Sequence, residues 1–173
     1  MPIMKKPHSN QAGFSFVDTF FGIVILAGGL LALASAFSQG MVLMSTSHIQ
    51  QVAKEKATEA VESVTSARDT RVITWAQIRN TGNGGVFLNG PQMLRTPGPD
   101  GLVNTADDGA VETEPGPDGI PGTGDDVILA NFTREIRITD IAQNLREVLV
   151  IVRYQNGPMV RQYQLVTYIS SFA

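Results

Sequence analysis

The sequence predicts an α+β fold in which one long N-terminal helix packs on a small C-terminal antiparallel β-sheet. Two observations carry this prediction. An apolar stretch at residues 14–37 runs on into a polar segment with helical spacing, and three segments with strand-like composition fill residues 132–170. The segment between them, residues 80–131, is a long acidic loop whose Gly and Pro content is too high for a helix or a regular strand.

The N-terminal residues 1–13 are polar and basic, with Lys5 and Lys6 and no acid. The apolar residues 14–37 follow, and a helix of about 20 such residues already spans a bilayer, so residues 14–40 are predicted as a transmembrane helix. Lysines before the helix place its start in the cytoplasm and the C-terminus outside. A secretory signal has a shorter apolar stretch of about 7–15 residues, so a membrane anchor fits the sequence better.

Asp18 is the only charged residue in this apolar stretch. An unpaired carboxylate in the membrane costs about 2.5–3.5 kcal/mol, which indicates that Asp18 has a partner. The sequence GFSFVD at residues 13–18, after a basic leader and before a long apolar helix, resembles the cleavage and methylation site of type IV pilins. The resemblance implies that a prepilin peptidase cuts between Gly13 and Phe14 and methylates Phe14. It also implies that Asp18, in place of the family's usual glutamate, pairs with the N-terminal amine of the next subunit.

The function implied by this resemblance is that of a pilin-like structural subunit of a type IV pilus or a related secretion or competence filament. Major pilin, minor pilin and pseudopilin remain open. The implied partners are other pilin subunits, the prepilin peptidase and the membrane, and the implied location is the bacterial inner membrane and then the filament. No catalytic motif or basic composition indicates an enzyme or a nucleic-acid-binding protein. The alternative is a membrane-anchored, calcium-dependent surface binding module that does not assemble.

Residues 41–79 are predicted as an amphipathic helix followed by a connection. Apolar residues recur there at steps of three and four, which is the spacing of one helix face: Ala53, Ala57, Ala60, Val61 and Val64. The prediction is one helix over residues 15–67, and the alternative is two helices hinged near Gly40. Trp75, the only tryptophan, follows in a helical turn or short strand and is predicted to be a packing anchor.

The acidic loop contains one internal repeat, PGPDGLVNTADD at residues 97–108 (the first copy) and PGPDGIPGTGDD at residues 115–126 (the second copy). Residues 96–127 hold eight acids and no base, whereas the rest of the chain has 8 acids and 13 bases. Calcium takes six to eight oxygen ligands on flexible backbone, so the repeat predicts Ca²⁺ as a possible cofactor. The predicted ligands are Asp100, Asp107, Asp108, Asp118, Asp125 and Asp126. The alternative is a solvated loop built on Pro-Gly and Asp-Gly turns.

Residues 132–173 are predicted as an antiparallel meander whose strands are residues 132–141, 145–155 and 158–170. The apolar run at residues 148–152 is typical of a central buried strand. Asn156-Gly157 predicts a two-residue hairpin loop that pairs Tyr154 with Met159 and Val152 with Arg161. The chain has no cysteine, so no disulfide holds this domain.

Overall fold

A computed structural model describes residue 13 and residues 15–172 of the chain. It confirms the predicted α+β fold: a long helix, α1 (Phe16–Asp69), is combined with a small antiparallel sheet. Residues 16–69 are helical throughout, so the alternative of two helices hinged near Gly40 is wrong. The described residues fall into two compact units, which divide between Ser45 and Thr46.

The first unit contains the apolar part of α1. Its side chains are exposed almost without exception, from Phe16 at the start to Met44 near the end. The helix is long and apolar enough to cross a membrane, which makes it a candidate membrane anchor. Asp18 lies in its first turn.

The second unit builds its core between the C-terminal part of α1 and one face of the sheet. The predicted periodicity is confirmed, because the buried residues of α1 are small and recur on one face: Val52, Ala53, Ala57, Ala60, Val64 and Ala67. The sheet contributes branched side chains that alternate along its central strand, including Val148, Val150 and Val152. Alternation on the strand and a 3.6-residue period on the helix bring two apolar faces together.

The main sheet has the strand order β1-β4-β5-β6. The three predicted strands are present as β4 (Phe132–Ala142), β5 (Leu145–Asn156) and β6 (Met159–Ser170). The edge strand β1 (Gln92–Met93) comes from the segment predicted as loop, and two residues are too few for a periodic pattern. A second, two-stranded sheet pairs β2 (Thr113–Glu114) with β3 (Val127–Ile128).

The predicted register of the β5–β6 hairpin is wrong by two residues. Tyr154 pairs with Arg161, and Asn156 pairs with Met159. The loop is therefore Gly157 and the proline after it, and Gly157 has a φ of 60°. Gly at the first position of a two-residue loop supplies the positive φ. A proline is tolerated at the second position because it lacks a backbone N–H and a loop residue donates no hydrogen bond to the ladder.

The connection after α1 is tied to the sheet by a buried side chain. It contains two short 3-10 turns, Trp75–Gln77 and Thr81–Asn83, so the helical alternative for Trp75 is correct. Asn80 donates from Nδ2 to the carbonyl of Ile136 at 2.7 Å, and its Oδ1 accepts from the Ile138 amide at 2.9 Å. One amide side chain thus satisfies two backbone groups of β4.

Candidate functional site

The predicted processing and assembly site lies at the start of α1. Gly13 is exposed, and Phe14 lies outside the described residues. Ser15 caps the helix, because its Oγ accepts a hydrogen bond from the Val17 amide at 3.3 Å. Asp18 stands at the third helical position, where a carboxylate is favourable for the helix dipole. Its carboxylate forms no hydrogen bond or ion pair with any residue that the structure describes.

The apolar surface around Asp18 is large and uncovered within the chain. Phe16 is 84% exposed, and Phe20, Phe21 and Ile25 are all more than half exposed. Soluble monomers rarely expose a contiguous apolar surface of this kind, which is consistent with α1 as a candidate membrane anchor.

The two copies of the acidic repeat adopt the same conformation. In each, the first aspartate caps the amide two residues later, the threonine hydroxyl donates to the second aspartate, and the third aspartate accepts from the amide four residues before it. The bonds in the first copy are Leu102 N to Asp100 at 2.8 Å, Thr105 Oγ1 to Asp107 at 2.8 Å and Asn104 N to Asp108 at 2.8 Å. Those in the second are Ile120 N to Asp118 at 2.8 Å, Thr123 Oγ1 to Asp125 at 2.6 Å and Gly122 N to Asp126 at 2.7 Å.

These hydrogen bonds give the aspartates a role in shaping the loop. The Asp107 and Asp125 side chains also lie against Gly98 and Gly116, where an added Cβ would approach the carboxylate oxygen to 2.5 Å. Glycine is therefore required at both positions by close approach. Among the described residues, no group of three or more metal-ligating side chains is gathered for a metal ion. Calcium at Asp100, Asp107, Asp108, Asp118, Asp125 and Asp126 stays a prediction.

The first copy is packed into the core, so the alternative of a solvated loop does not hold for its residues 102–104. Leu102 is 1% exposed and Val103 is fully buried. The buried Asn104 donates from Nδ2 to the Arg134 carbonyl at 3.4 Å, and its Oδ1 accepts from Arg134 Nε at 3.3 Å. Ser63 of α1 donates to the Gly101 carbonyl at 3.4 Å. The first copy is thus part of the interface between helix and sheet.

The second copy is exposed at the equivalent positions. Ile120, which corresponds to Leu102, is 57% exposed. The positions of Val103 and Asn104 are taken by Pro121 and Gly122, and Gly122 has no side chain with which to anchor the loop. The hydroxyl of Thr123 lowers the pKa of the exposed Asp125 carboxyl. The second copy is therefore a preformed, ionised loop that projects into solvent from the β2–β3 base.

A buried charge cluster that sequence reasoning missed holds the first copy in place. Lys56 of α1 pairs with Glu59 at 2.9 Å and with the buried Glu112, and Arg134 of β4 lies 3.8 Å from Glu59. Burial raises the pKa of Glu112, and the hydrogen bond from Lys56 opposes that rise. Arg134 is completely buried, and neither terminal nitrogen of its guanidinium has a hydrogen-bond partner among the described residues. The sequence feature that could have revealed this cluster is the placement of Arg134, a charged residue, at a core-facing position of a predicted strand.

A second cluster surrounds Trp75 in the connection that follows α1. The buried Arg146 guanidinium lies 4.1 Å from the Trp75 ring centroid and donates to the Ile78 carbonyl at 2.9 Å. Arg146 also pairs with Asp140 at 2.6 Å, and this bond lowers the pKa of Asp140. The cation–π contact supports the predicted packing role of Trp75.

Asp18, the predicted assembly residue, belongs to the first compact unit, and the predicted calcium ligands belong to the second. Comparison of the chain with protein-family models, with curated proteins and with solved structures finds no match.

Proposed function

We propose that the chain is a pilin-like structural subunit of a type IV pilus or a related secretion or competence filament. A prepilin peptidase removes residues 1–13 by cutting between Gly13 and Phe14, and α1 then leaves the membrane for the filament core. The observation that supports this most strongly is Asp18, a lone carboxylate in the first turn of an apolar helix, without a partner among the described residues.

The helix dipole does not by itself account for Asp18. A carboxylate in the first turn gains about 0.3–1 kcal/mol from the dipole. The same carboxylate costs about 2.5–3.5 kcal/mol at the centre of a membrane-spanning helix, and less near the membrane interface. A positive partner offsets the difference, and cleavage before Phe14 creates one in the new N-terminal amine of a neighbouring subunit.

The exposed apolar surface of α1 supplies the driving force for assembly in this proposal. In lipid it is covered by acyl chains, and in the filament by the same surface of neighbouring subunits. Apolar packing alone would let neighbouring helices slide along one another. Pairing of Asp18 with an amine fixes the axial register, because only one offset between subunits neutralises both charges.

Processing tests the proposal most directly. Co-expression with a prepilin peptidase should shorten the chain by residues 1–13 and leave a methylated Phe14, both read by intact-mass spectrometry. Gly13→Ala should block the shift. A chain that keeps its leader in the presence of an active peptidase, with a known pilin processed in the same cells, would reduce α1 to a simple anchor.

Assembly separates the role of Asp18 from that of the leader. Asp18→Asn removes the charge and keeps the size, so we expect normal processing but a loss of filaments in sheared fractions. Asp18→Glu keeps the negative charge that Asp18→Asn removes, so this variant should assemble. Filaments from Asp18→Asn at the wild-type level would show that Asp18 serves only the helix N-terminus.

A further inference from the structure

The strand β6 forms one edge of the main sheet and has a single neighbour, β5. The Ser171 amide donates to the Asn144 carbonyl at 3.1 Å, which continues the β5–β6 ladder by one pair. Since the bonding direction alternates along an antiparallel ladder, the odd-numbered residues of β6 bond to β5. The even-numbered residues therefore direct their N–H and C=O groups away from the sheet.

The outer side of β6 is unpaired from Val160 to Tyr168. None of the even-numbered residues in this run makes a backbone hydrogen bond there with any described residue: Val160, Gln162, Gln164, Val166 and Tyr168. Pro158 lacks an N–H and bounds the run at one end. The Ser170 carbonyl accepts from Arg68 at 3.4 Å and bounds it at the other end. The free run is therefore residues 160–168, and its midpoint is Gln164.

This edge lacks the features that usually keep a strand edge from pairing with another chain. Protected edges are short, bulged or covered, or they carry lysine or proline. β6 has 12 residues, pairs with β5 without a register shift, and has Arg161 as its only charged residue. Its side chains include exposed apolar ones, such as Val160 at 73% and Tyr168 at 58%. The strand at the opposite edge, β1, has only 2 residues.

A groove beside β6 has room for the side chains of an added strand. It has a volume of about 760 Å³ and lies between residues of α1 and Tyr163 of β6. Tyr163 and Leu165 pack against the core but are only half-buried. Val152, the partner of Tyr163 in β5, is fully buried. The helix thus covers β5 more completely than β6, and a further strand would extend the surface beneath this groove.

We propose that β6 pairs antiparallel with β6 of a second copy of the same chain, with Gln164 facing Gln164. In this register the two free runs overlap along their whole length, because each is centred on Gln164. The pair forms about ten backbone hydrogen bonds between the chains, two for each even-numbered residue of the run.

The side chains of β6 are compatible with themselves in this register. Its only charged residue, Arg161, faces Thr167 of the other copy, so no like charges oppose each other. Val160 faces Tyr168 on the outer face of the sheet. Tyr163 faces Leu165 on the helix side. Cross-strand pairs of an aromatic with a branched apolar residue stabilise sheets, which makes a second copy a suitable occupant of this edge.

Antiparallel pairing joins copies that run in opposite directions, which is the relation expected between two separate filaments or two facing membranes. One strand pair is a small interface, but an array of copies on each surface multiplies its strength. The pairing needs neither processing nor assembly. It therefore goes beyond the proposed function and does not rest on it.

Cysteine cross-linking between vesicles tests the register without background, because the chain has no cysteine of its own. Full-length chains with two different tags are placed in separate populations of lipid vesicles, which are then mixed and oxidised. Gln164→Cys should give a disulfide that carries both tags, and so should Gln162→Cys mixed with Val166→Cys. Gln162→Cys on both populations is the matched control, since equivalent Gln162 residues lie about 13 Å apart in this register.

A disulfide at position 164, without one between two copies of Gln162→Cys, supports the pairing. Equal yields at both positions, or no disulfide at either, overturn it, including the case in which a strand of another protein occupies the edge. Processing and filament formation are not measured in this experiment, so the proposed function can fail separately.

Opposite charges at position 164 separate pairing from folding. Gln164 is exposed, so Gln164→Lys and Gln164→Glu should unfold at the wild-type temperature. Vesicles that carry either variant alone should cluster at least about fivefold less than wild-type vesicles in light scattering, because like charges would face each other. Mixing the two kinds of vesicle should restore clustering. Gln143→Lys, in the exposed β4–β5 turn, should leave it unchanged. Wild-type vesicles that do not cluster, or Gln164→Lys vesicles that cluster as the wild type does, would contradict the proposal.

Discussion

The two copies of the acidic repeat share one backbone conformation and have opposite surroundings. In both, aspartates accept hydrogen bonds from the equivalent backbone amides, and a threonine hydroxyl donates to an aspartate. The first copy is buried between helix and sheet, whereas the second is exposed on the β2–β3 base. The comparison separates what the repeat needs in order to fold from what it gains by packing: hydrogen bonds within the loop set its shape, and the residues between the aspartates decide whether it is buried.

The largest expected difference in stability between the two copies comes from truncation of their equivalent apolar residues, Leu102 and Ile120. Leu102→Ala removes a buried side chain and should lower the free energy of unfolding by about 2–4 kcal/mol. Ile120→Ala acts on an exposed side chain and should change it by less than about 0.5 kcal/mol. Urea unfolding of both variants measures the difference. Equal effects would show that the second copy is packed in solution.

Exchange of the residues at the equivalent positions 104 and 122 should give the next largest effect on stability. Asn104→Gly leaves the buried Arg134 without its side-chain hydrogen bond, which costs about 1–3 kcal/mol and is offset in part because glycine favours the φ of 65°. Gly122→Asn in the second copy has no Arg134 to contact, and we expect a change below about 0.5 kcal/mol. Thermal unfolding compares the pair, and a neutral Asn104→Gly would mean that Asn104 does not anchor the first copy.

Calcium sharpens the comparison because it should act mainly on the exposed copy. At tenfold over its dissociation constant, a bound ion would add about 1.4 kcal/mol of stability. We expect millimolar calcium to protect residues 115–126 from limited proteolysis and chelation to reverse this. Asp118→Asn/Asp125→Asn is the variant that should lose the protection. If calcium changes neither cleavage nor unfolding temperature, the aspartates serve only as loop acceptors.

The contributions of Glu112, which follows the first copy, and of Asp125 in the second copy should change stability with pH in opposite directions. These are the smallest effects that we expect. Burial raises the pKa of Glu112 above 4.5, so its contribution to stability falls as the pH rises from that value through the raised pKa. Glu112→Gln should lose less stability than the wild type between pH 4 and pH 7. The pKa of Asp125 is lowered below 3.8, so its contribution is present above that pH and is lost as the pH falls through the lowered pKa.

Urea unfolding at a series of pH values measures both effects. Asp125→Asn, as the matched variant, should differ in pH dependence from the wild type only at acidic pH. A Glu112→Gln profile parallel to that of the wild type would show that Glu112 does not titrate differently in the folded protein.

Periodicity made the main elements predictable. The apolar face of α1 from Ala53 to Val64 and the apolar run at residues 148–152 of β5 were long enough to fix the type of these elements. The two-residue strands were not predictable, since no period exists over two residues. The hairpin register failed because Asn-Gly and Gly-Pro both offer a two-residue loop, and the ladder as a whole selects between them.

The sequence by itself determined the helix, the meander, the lone carboxylate at Asp18 and the existence of a repeat, because these depend on local composition and spacing. Only the tertiary structure decided that one copy is buried and the other exposed, since burial depends on whether a distant partner such as Arg134 is in reach. The same holds for the cluster around Glu112 and for the cluster of Arg146, Asp140 and Trp75. Their residues are far apart in the chain, and only folding places their charges together.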